Sequence, residues 1–253
     1  YVIDAVDLIE GYEMKRREIF NAERKLEFMG AVAYLNPGGF GGDETKYRNF
    51  IDSTFIKINE RKSTDLIVDL RNNPGGNDSF SDYLVSYIAD KPFKWNSNFK
   101  LKTSGFLKEH TRKHYDTTSV FWQSALNHKN GEVYDYEFEE YQPKPLSKRF
   151  SGSVYVLVNR QSYSQSTVTA AQIQDYGFGT IVGEETGEYA SLFASIFQFK
   201  LPNTQIPVNV SKGKIVRVNG STKEEGVMPD IYIKDHLLDE KDEILEGLLQ
   251  QIQ

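Results

Sequence analysis

The chain has 253 residues, with 30 Lys plus Arg against 36 Asp plus Glu, a formal net charge of −6 and 39% hydrophobic residues. The basic residues are scattered instead of forming a stripe, which argues against a nucleic-acid partner, and no run approaches the ~18 apolar residues of a membrane span. There is no cysteine, which excludes a cysteine nucleophile, disulfides and thiolate metal sites.

The first 27 residues are charged and weakly patterned, and no signal-peptide pattern opens them. A short helix is expected over Glu13–Phe20, and the segment reads as the end of a preceding region. Residues 28–253 are expected to form one domain. Ala31–Leu35 reads as a strand, broken by Asn36-Pro37-Gly38-Gly39-Phe40-Gly41-Gly42. Asp43 is the expected N-cap of a helix carrying Tyr47, Phe50, Ile51, Phe55 and Ile58 at helical spacing. Asp65–Leu70 follows as a short buried strand ending in Arg71-Asn72-Asn73-Pro74-Gly75-Gly76, and Phe80, Tyr83, Leu84, Tyr87 and Ile88 mark a second amphipathic helix. Strand, helix, strand, helix is the grammar of an α/β layer fold.

Residues 91–150 are less regular and read as an insertion able to cap or line a cleft. Order returns with the strand Val154–Val158, the turn Asn159-Arg160-Gln161-Ser162-Tyr163-Ser164-Gln165-Ser166-Thr167 and a helix over about 164–176. Strands follow at Thr180–Val182 and near 195–201, 206–210 and 214–218, with a closing amphipathic helix over about 239–251.

Two of these strand ends can carry chemistry. Pro74-Gly75-Gly76 can expose consecutive backbone N–H groups, because neither glycine has a Cβ to block a ligand; read alone, it is a turn. A serine at the start of a helix lies where free N–H groups and the macrodipole favour developing negative charge; read alone, it is an N-cap. His110 and His114 are four apart, as two ligands on one helix face would be. Neither a Glu after the first nor a third ligand accompanies them, so no metal site is expected.

In combination the motifs say more. Asp69-Leu70-Arg71-Asn72-Asn73-Pro74-Gly75-Gly76, the Ser-x-Ser-x-Ser turn, Gly183-Glu184-Glu185-Thr186-Gly187 and Gly226-Val227-Met228-Pro229-Asp230 occur in the order and spacing of the tail-specific (C-terminal processing) serine peptidases, family S41. The chain resembles that family over roughly residues 28–235. The resemblance implies an α/β fold with a crotonase/Clp-protease-like core of stacked β-β-α units, a mixed sheet flanked by helices.

It further implies that Ser164, the middle serine of the turn, is the nucleophile. The N–H groups of Gly75, Gly76 and Gln165 would hold the oxyanion, and Ser162 and Ser166 would shape and pack the turn. Asp69 and Arg71 are expected to hold the strand end in shape. The family takes the serine proton with either a lysine or a histidine backed by a glutamate. No lysine follows Gly183–Gly187, where Tyr189 stands, so the chain resembles the histidine–glutamate branch more closely. The Asp-Gly-His element of that branch is absent from residues 1–30, which is expected of a C-terminal fragment. The supporting glutamate usually lies three residues before Gly226, where Lys223 stands, and Glu224 is the nearest candidate. His110 or His114 is the alternative source of a base.

The implied activity is hydrolysis of peptide bonds through an acyl-enzyme, with an extended polypeptide as substrate and no metal or organic cofactor. The family places such enzymes in the cell envelope, the periplasm or outside the cell. Two rival readings remain at this stage. One is a non-catalytic peptide-binding member of the same fold that lacks a working base; the other is a crotonase-type acyl-CoA enzyme, which explains the glycines but not the serine turn.

Overall fold

The computed structural model describes residues 24–236 and 241–252, so the helix expected over Glu13–Phe20 lies outside the described residues. Strands β1 (Lys25–Met29) and β2 (Val32–Asn36) form an antiparallel hairpin. Its two-residue turn begins at Gly30 with φ 62°, the positive φ that tight hairpins demand. Helix α1 (Glu44–Glu60) starts at Asp43, whose carboxylate accepts the Lys46 N–H, and it buries Tyr47, Ile51, Phe55 and Ile58. Strand β3 (Asp65–Asp69) leads through the Pro-Gly-Gly turn into α2 (Asp78–Val85), capped by Asn77.

The stretch expected to be irregular holds β4 (Asn98–Lys102), α3 (Gly105–His114), α4 (Val120–Asn127) and β5 (Val133–Tyr136). Then come β6 (Ser153–Val158), α5 (Gln165–Tyr176) and β7 (Thr180–Gly183), followed by β8 (Phe193–Lys200) and β9 (Pro207–Val216). The described chain closes with β10 (Ile231–Tyr232) and α6 (Glu243–Ile252).

These elements form two compact units. The first takes the chain up to Trp95, Glu140–Ala190 and the part from Glu225 on; the second is Asn96–Glu139 with Ser191–Glu224. The first unit is built on a six-stranded sheet in the order β1-β2-β3-β6-β7-β10, parallel throughout except for β1. Side chains alternate across it, as the two-residue period of a strand requires. Leu66, Val68, Val156 and Val158 face one core with Tyr47, Ile51, Leu84 and Ile173, whereas Ile67, Leu157 and Val182 face a second core closed by Ile244 and Leu248 of α6. A parallel sheet buried on both faces explains why β3 and β6 read as continuous apolar runs. The α/β class and the mixed sheet flanked by helices are as the sequence implied.

The second unit is a four-stranded antiparallel sheet in the order β5-β4-β9-β8. Leu107 and Ala125 of its helices pack with Phe197, Trp122, Phe199 and Val210. The strands expected at 206–210 and 214–218 are one strand, β9, and belong to this unit together with residues 96–139.

Candidate active site

Strands β3 and β6 are parallel neighbours with Asp69 opposite Leu157, so the loops after them emerge side by side at the carboxyl edge of the sheet. That edge is where open α/β sheets place their ligands. The two loops are joined by hydrogen bonds at several levels. Leu70 N–H donates to Leu157 O (2.9 Å), Tyr163 N–H to Asn73 O (2.9 Å) and the Ser162 hydroxyl to Leu70 O (2.8 Å). Asn159 Oδ1 accepts the Asn72 N–H at 3.1 Å. Ser162 and Ser166 are fully buried, and both hydroxyls bond Leu70 O, so their work is to shape and pack the turn.

Ser164 is different. It precedes the first residue of α5 with φ 53° and ψ −124°, a conformation that a residue with a Cβ adopts at a cost of about 1–3 kcal/mol. Its side chain makes no capping hydrogen bond, and the residue is partly exposed. A strand, a sharp turn and a helix thus present a hydroxyl that has no structural employment.

Gly75 lies directly against it. With φ 87°, a Cβ there would stand 2.5 Å from Gln165 N and 2.8 Å from Ser164 Cβ, so only glycine fits. Gly76 has φ 137°, and its Cβ would meet Phe40 O at 1.9 Å. Of the three N–H groups expected to face a substrate oxygen, that of Gly75 already donates to Asn73 Oδ1 (2.9 Å), closing an Asx turn. The N–H groups of Gly76 and Gln165 have no acceptor among the described residues. Of the three expected donors, Gly75 is thus engaged within its own turn, at the position where the two turns approach most closely. The side chain of Gln165 turns inward to donate to Ser81 Oγ on α2 (3.0 Å).

The loop after β7 closes the third side. Gly187 N–H donates to Ser162 O (3.1 Å), and a Cβ at Gly187 would overlap Arg160 O at 2.0 Å. The loop is held in turn by the Gly226–Asp230 segment. Gly226 N–H donates to Glu185 Oε1 and Val227 N–H to Thr186 Oγ1, both at 2.8 Å, while Asp230 accepts the Ile181 N–H (2.8 Å). This brings the Glu188 carboxylate to the elbow, where Oε2 accepts the N–H of Ser164 at 2.6 Å. Burial pushes the Glu188 carboxyl above its usual range, and the hydrogen bond from Ser164 acts against that. Reading the sequence for a lysine passed over Glu188. The available signal was a carboxylate directly after Gly187.

Asp69 and Arg71 hold the end of β3, as expected. The Asp69 carboxylate accepts from Tyr34 Oη (2.5 Å) and from the Arg71 N–H and guanidinium, which also donates to Asp242 at the start of α6. Glu224 is exposed at the end of the second unit. His110 and His114 lie on α3 of that unit with ring centroids 4.5 Å apart, His110 against Phe197. Tyr189 is 47% exposed. Among the described residues no group of three or more His, Asp or Glu is arranged to hold a metal ion, and no helix is long and apolar enough to cross a membrane.

Comparison with known proteins agrees with this architecture. The chain is 27% identical over 198 residues to the tail-specific protease of Haemophilus influenzae, an alignment covering 76% of this chain and 23% of that protein. It therefore spans about a quarter of that relative's length. Among solved structures, mature CPAF complexed with lactacystin superposes with a TM-score of 0.61 at 17% identity, covering 79% of this chain and 47% of that one. The photosystem II D1 C-terminal processing protease gives 0.51 at 20% identity over 85% of this chain and 45% of its own. These likenesses establish the crotonase/Clp-type core. The profile of peptidase family S41 matches residues 31–233, and the chain belongs to that family.

Proposed function

We propose that the chain hydrolyses peptide bonds through an acyl-enzyme on Ser164. The observation that carries this reading is the elbow itself: a serine held at positive φ at the head of a buried helix, its hydroxyl free of any capping bond. Such a turn exposes an Oγ at the edge of a sheet. Ser164 Oγ attacks the carbonyl carbon of the scissile peptide while its proton passes to a base. The oxygen gains negative charge, and the N–H groups of Gly76 and Gln165 are the donors for it, each such donor being worth ~10²–10³ in rate. The leaving amine takes the proton and departs, and water then cleaves the ester to free Ser164. The substrate is a polypeptide, and edge-strand pairing is the general way an extended chain is held in a cleft.

Of the two base arrangements known in the family we assign the chain to the histidine–glutamate one, because Tyr189 stands where the other arrangement has lysine. Glu224, the expected partner of that histidine, is exposed, and its role rests on the sequence motif alone. Placement in the cell envelope, the periplasm or outside the cell follows the family.

A second reading has an observation of its own. Among the described residues no base is hydrogen-bonded to the Ser164 hydroxyl, which suits a member of the fold that binds peptides without cleaving them. A fluorophosphonate probe separates the two. Covalent labelling that is lost in Ser164→Ala supports the peptidase. If Ser164 is unlabelled both in this chain and in the longest natural form of the protein, the peptidase reading fails.

A further inference from the structure

The elbow conformation of Ser164 disfavours itself, so something must hold it. Its flanks are tied by Tyr163 N–H to Asn73 O (2.9 Å), Ser166 N–H to Tyr163 O (3.0 Å) and Val168 N–H to Ser164 O (3.1 Å). The N–H of Ser164 itself goes to a side chain from a distant loop, Glu188, at 2.6 Å.

We infer that Glu188 is the positioning residue of the nucleophile: its ionised carboxylate clamps the Ser164 N–H and keeps the elbow in the conformation that presents Oγ. The inference rests on Ser164 being the nucleophile and adds a residue to that site. Hydrogen bonds to an ionised acceptor are about twice as strong as neutral ones, and an anion at the head of a 12-residue helix gains further from the macrodipole. A carboxylate can therefore hold a strained residue where a water would exchange.

The clamp is also pre-set by its own loop. Gly187 N–H is bonded to Ser162 O, the Thr186 hydroxyl donates to Glu188 O (3.1 Å), and Val227 N–H donates to Thr186 Oγ1, so the reach of Glu188 is fixed from both sides. The other charged groups on the surrounding segments are engaged elsewhere. Arg160 lies 3.8 Å from Glu184, Glu185 accepts from Gly226, and Arg71 is shared between Asp69 and Asp242. The ionisation of Glu188 is accordingly governed by two opposing causes, burial and the Ser164 N–H.

The test is the rate of fluorophosphonate labelling at Ser164 in the full chain across pH, with melting temperatures, for the wild type, Glu188→Ala and Glu188→Gln. Near neutral pH, Glu188→Ala should label roughly 10- to 100-fold more slowly, the range expected for losing a hydrogen bond to a charged group. Glu188→Gln, whose amide oxygen still accepts but carries no charge, should recover part of that loss. Protonation removes the charge of the clamp, so wild-type labelling should fall on acidification with a midpoint above the ordinary 4.5, towards the rate of Glu188→Gln, which should keep only the acid limb of the base itself. Wild-type labelling by Glu188→Ala overturns the inference. So does a folded Glu188→Gln as slow as Glu188→Ala, which would make the carboxylate the proton acceptor. If the wild type does not label, the peptidase reading has failed, and the Ser164 amide resonance decides on Glu188 by itself. A resonance titrating with a carboxyl midpoint in the wild type but not in Glu188→Gln supports the clamp, and one that does not titrate refutes it.

Discussion

After β3 the chain turns through Gly75 and Gly76, with φ of 87° and 137°; after β6 it turns through Ser164, with φ 53°. Both turns lead into a helix, and α2 and α5 pack together through Gln165 to Ser81 Oγ and Gln172 Nε2 to Asp82 Oδ1, each 3.0 Å. The two strand–turn–helix units are alike in geometry and opposite in chemistry. Glycine reaches positive φ without strain and leaves the Gly76 N–H without an acceptor among the described residues. A residue with a Cβ reaches it at a cost, which the fold accepts at Ser164 and also at Asn72 in the β3 turn, with φ 57°. The comparison teaches that the β3 turn leaves an unengaged backbone N–H at a glycine, whereas the β6 turn leaves an unengaged hydroxyl at a serine.

The strongest way to break this pairing is Gly75→Ala. Its Cβ would stand 2.5 Å from Gln165 N and 2.6 Å from Tyr163 O, so the two turns must move apart. A loss of about 2–4 kcal/mol is expected from overpacking and positive φ together, measured by urea unfolding, with labelling of Ser164 lost in the protein that remains folded.

Asp82→Asn probes the seam between the two helices. Asp82 is 3% exposed, and burial pushes its carboxyl up to about 7. The native state therefore holds a proton that the unfolded chain releases at lower pH, so Asp82 makes the protein less stable as pH rises from about 4 through about 7. Asn keeps an acceptor for Gln172 and carries no charge. It should raise stability at pH above 7 by an amount on the order of a few kcal/mol and change little at about pH 3, below the unfolded value of 3.8. Equal shifts at both pH values would show that Asp82 does not titrate with folding.

The smallest effect is the most specific. Ser164→Gly and Ser164→Ala both remove the hydroxyl and should both abolish labelling, but only glycine relaxes φ 53°. Relief of strain should outweigh the greater flexibility of glycine in the unfolded chain, leaving Ser164→Gly the more stable of the two by about 1 kcal/mol. Equal urea midpoints would show that Ser164 is not strained.

Much of the first unit is legible in the sequence because its signals are local. The apolar runs of β3 and β6, the Asp43 cap, the helical spacing of Tyr47, Ile51, Phe55 and Ile58, and the two turns each announce themselves within a few residues. The second unit is less legible because its order is not local. Strand β4 pairs with β5 on one side and with β9, more than a hundred residues away, on the other. Residues 96–139 therefore look irregular until residues 191–224 are laid beside them.

The sequence by itself determined the family motifs and the α/β class, and it singled out Ser164, Gly75 and Gly76 as the residues expected to meet, since each depends on residue type at fixed spacing. Only the tertiary structure decided which backbone donors remain free, because that depends on where the Asn73 side chain goes. It alone brought Glu188 to Ser164, across 24 residues of helix, strand and loop. A hydrogen bond between segments that meet only when the sheet edge forms has no signature in the order of residues along the chain.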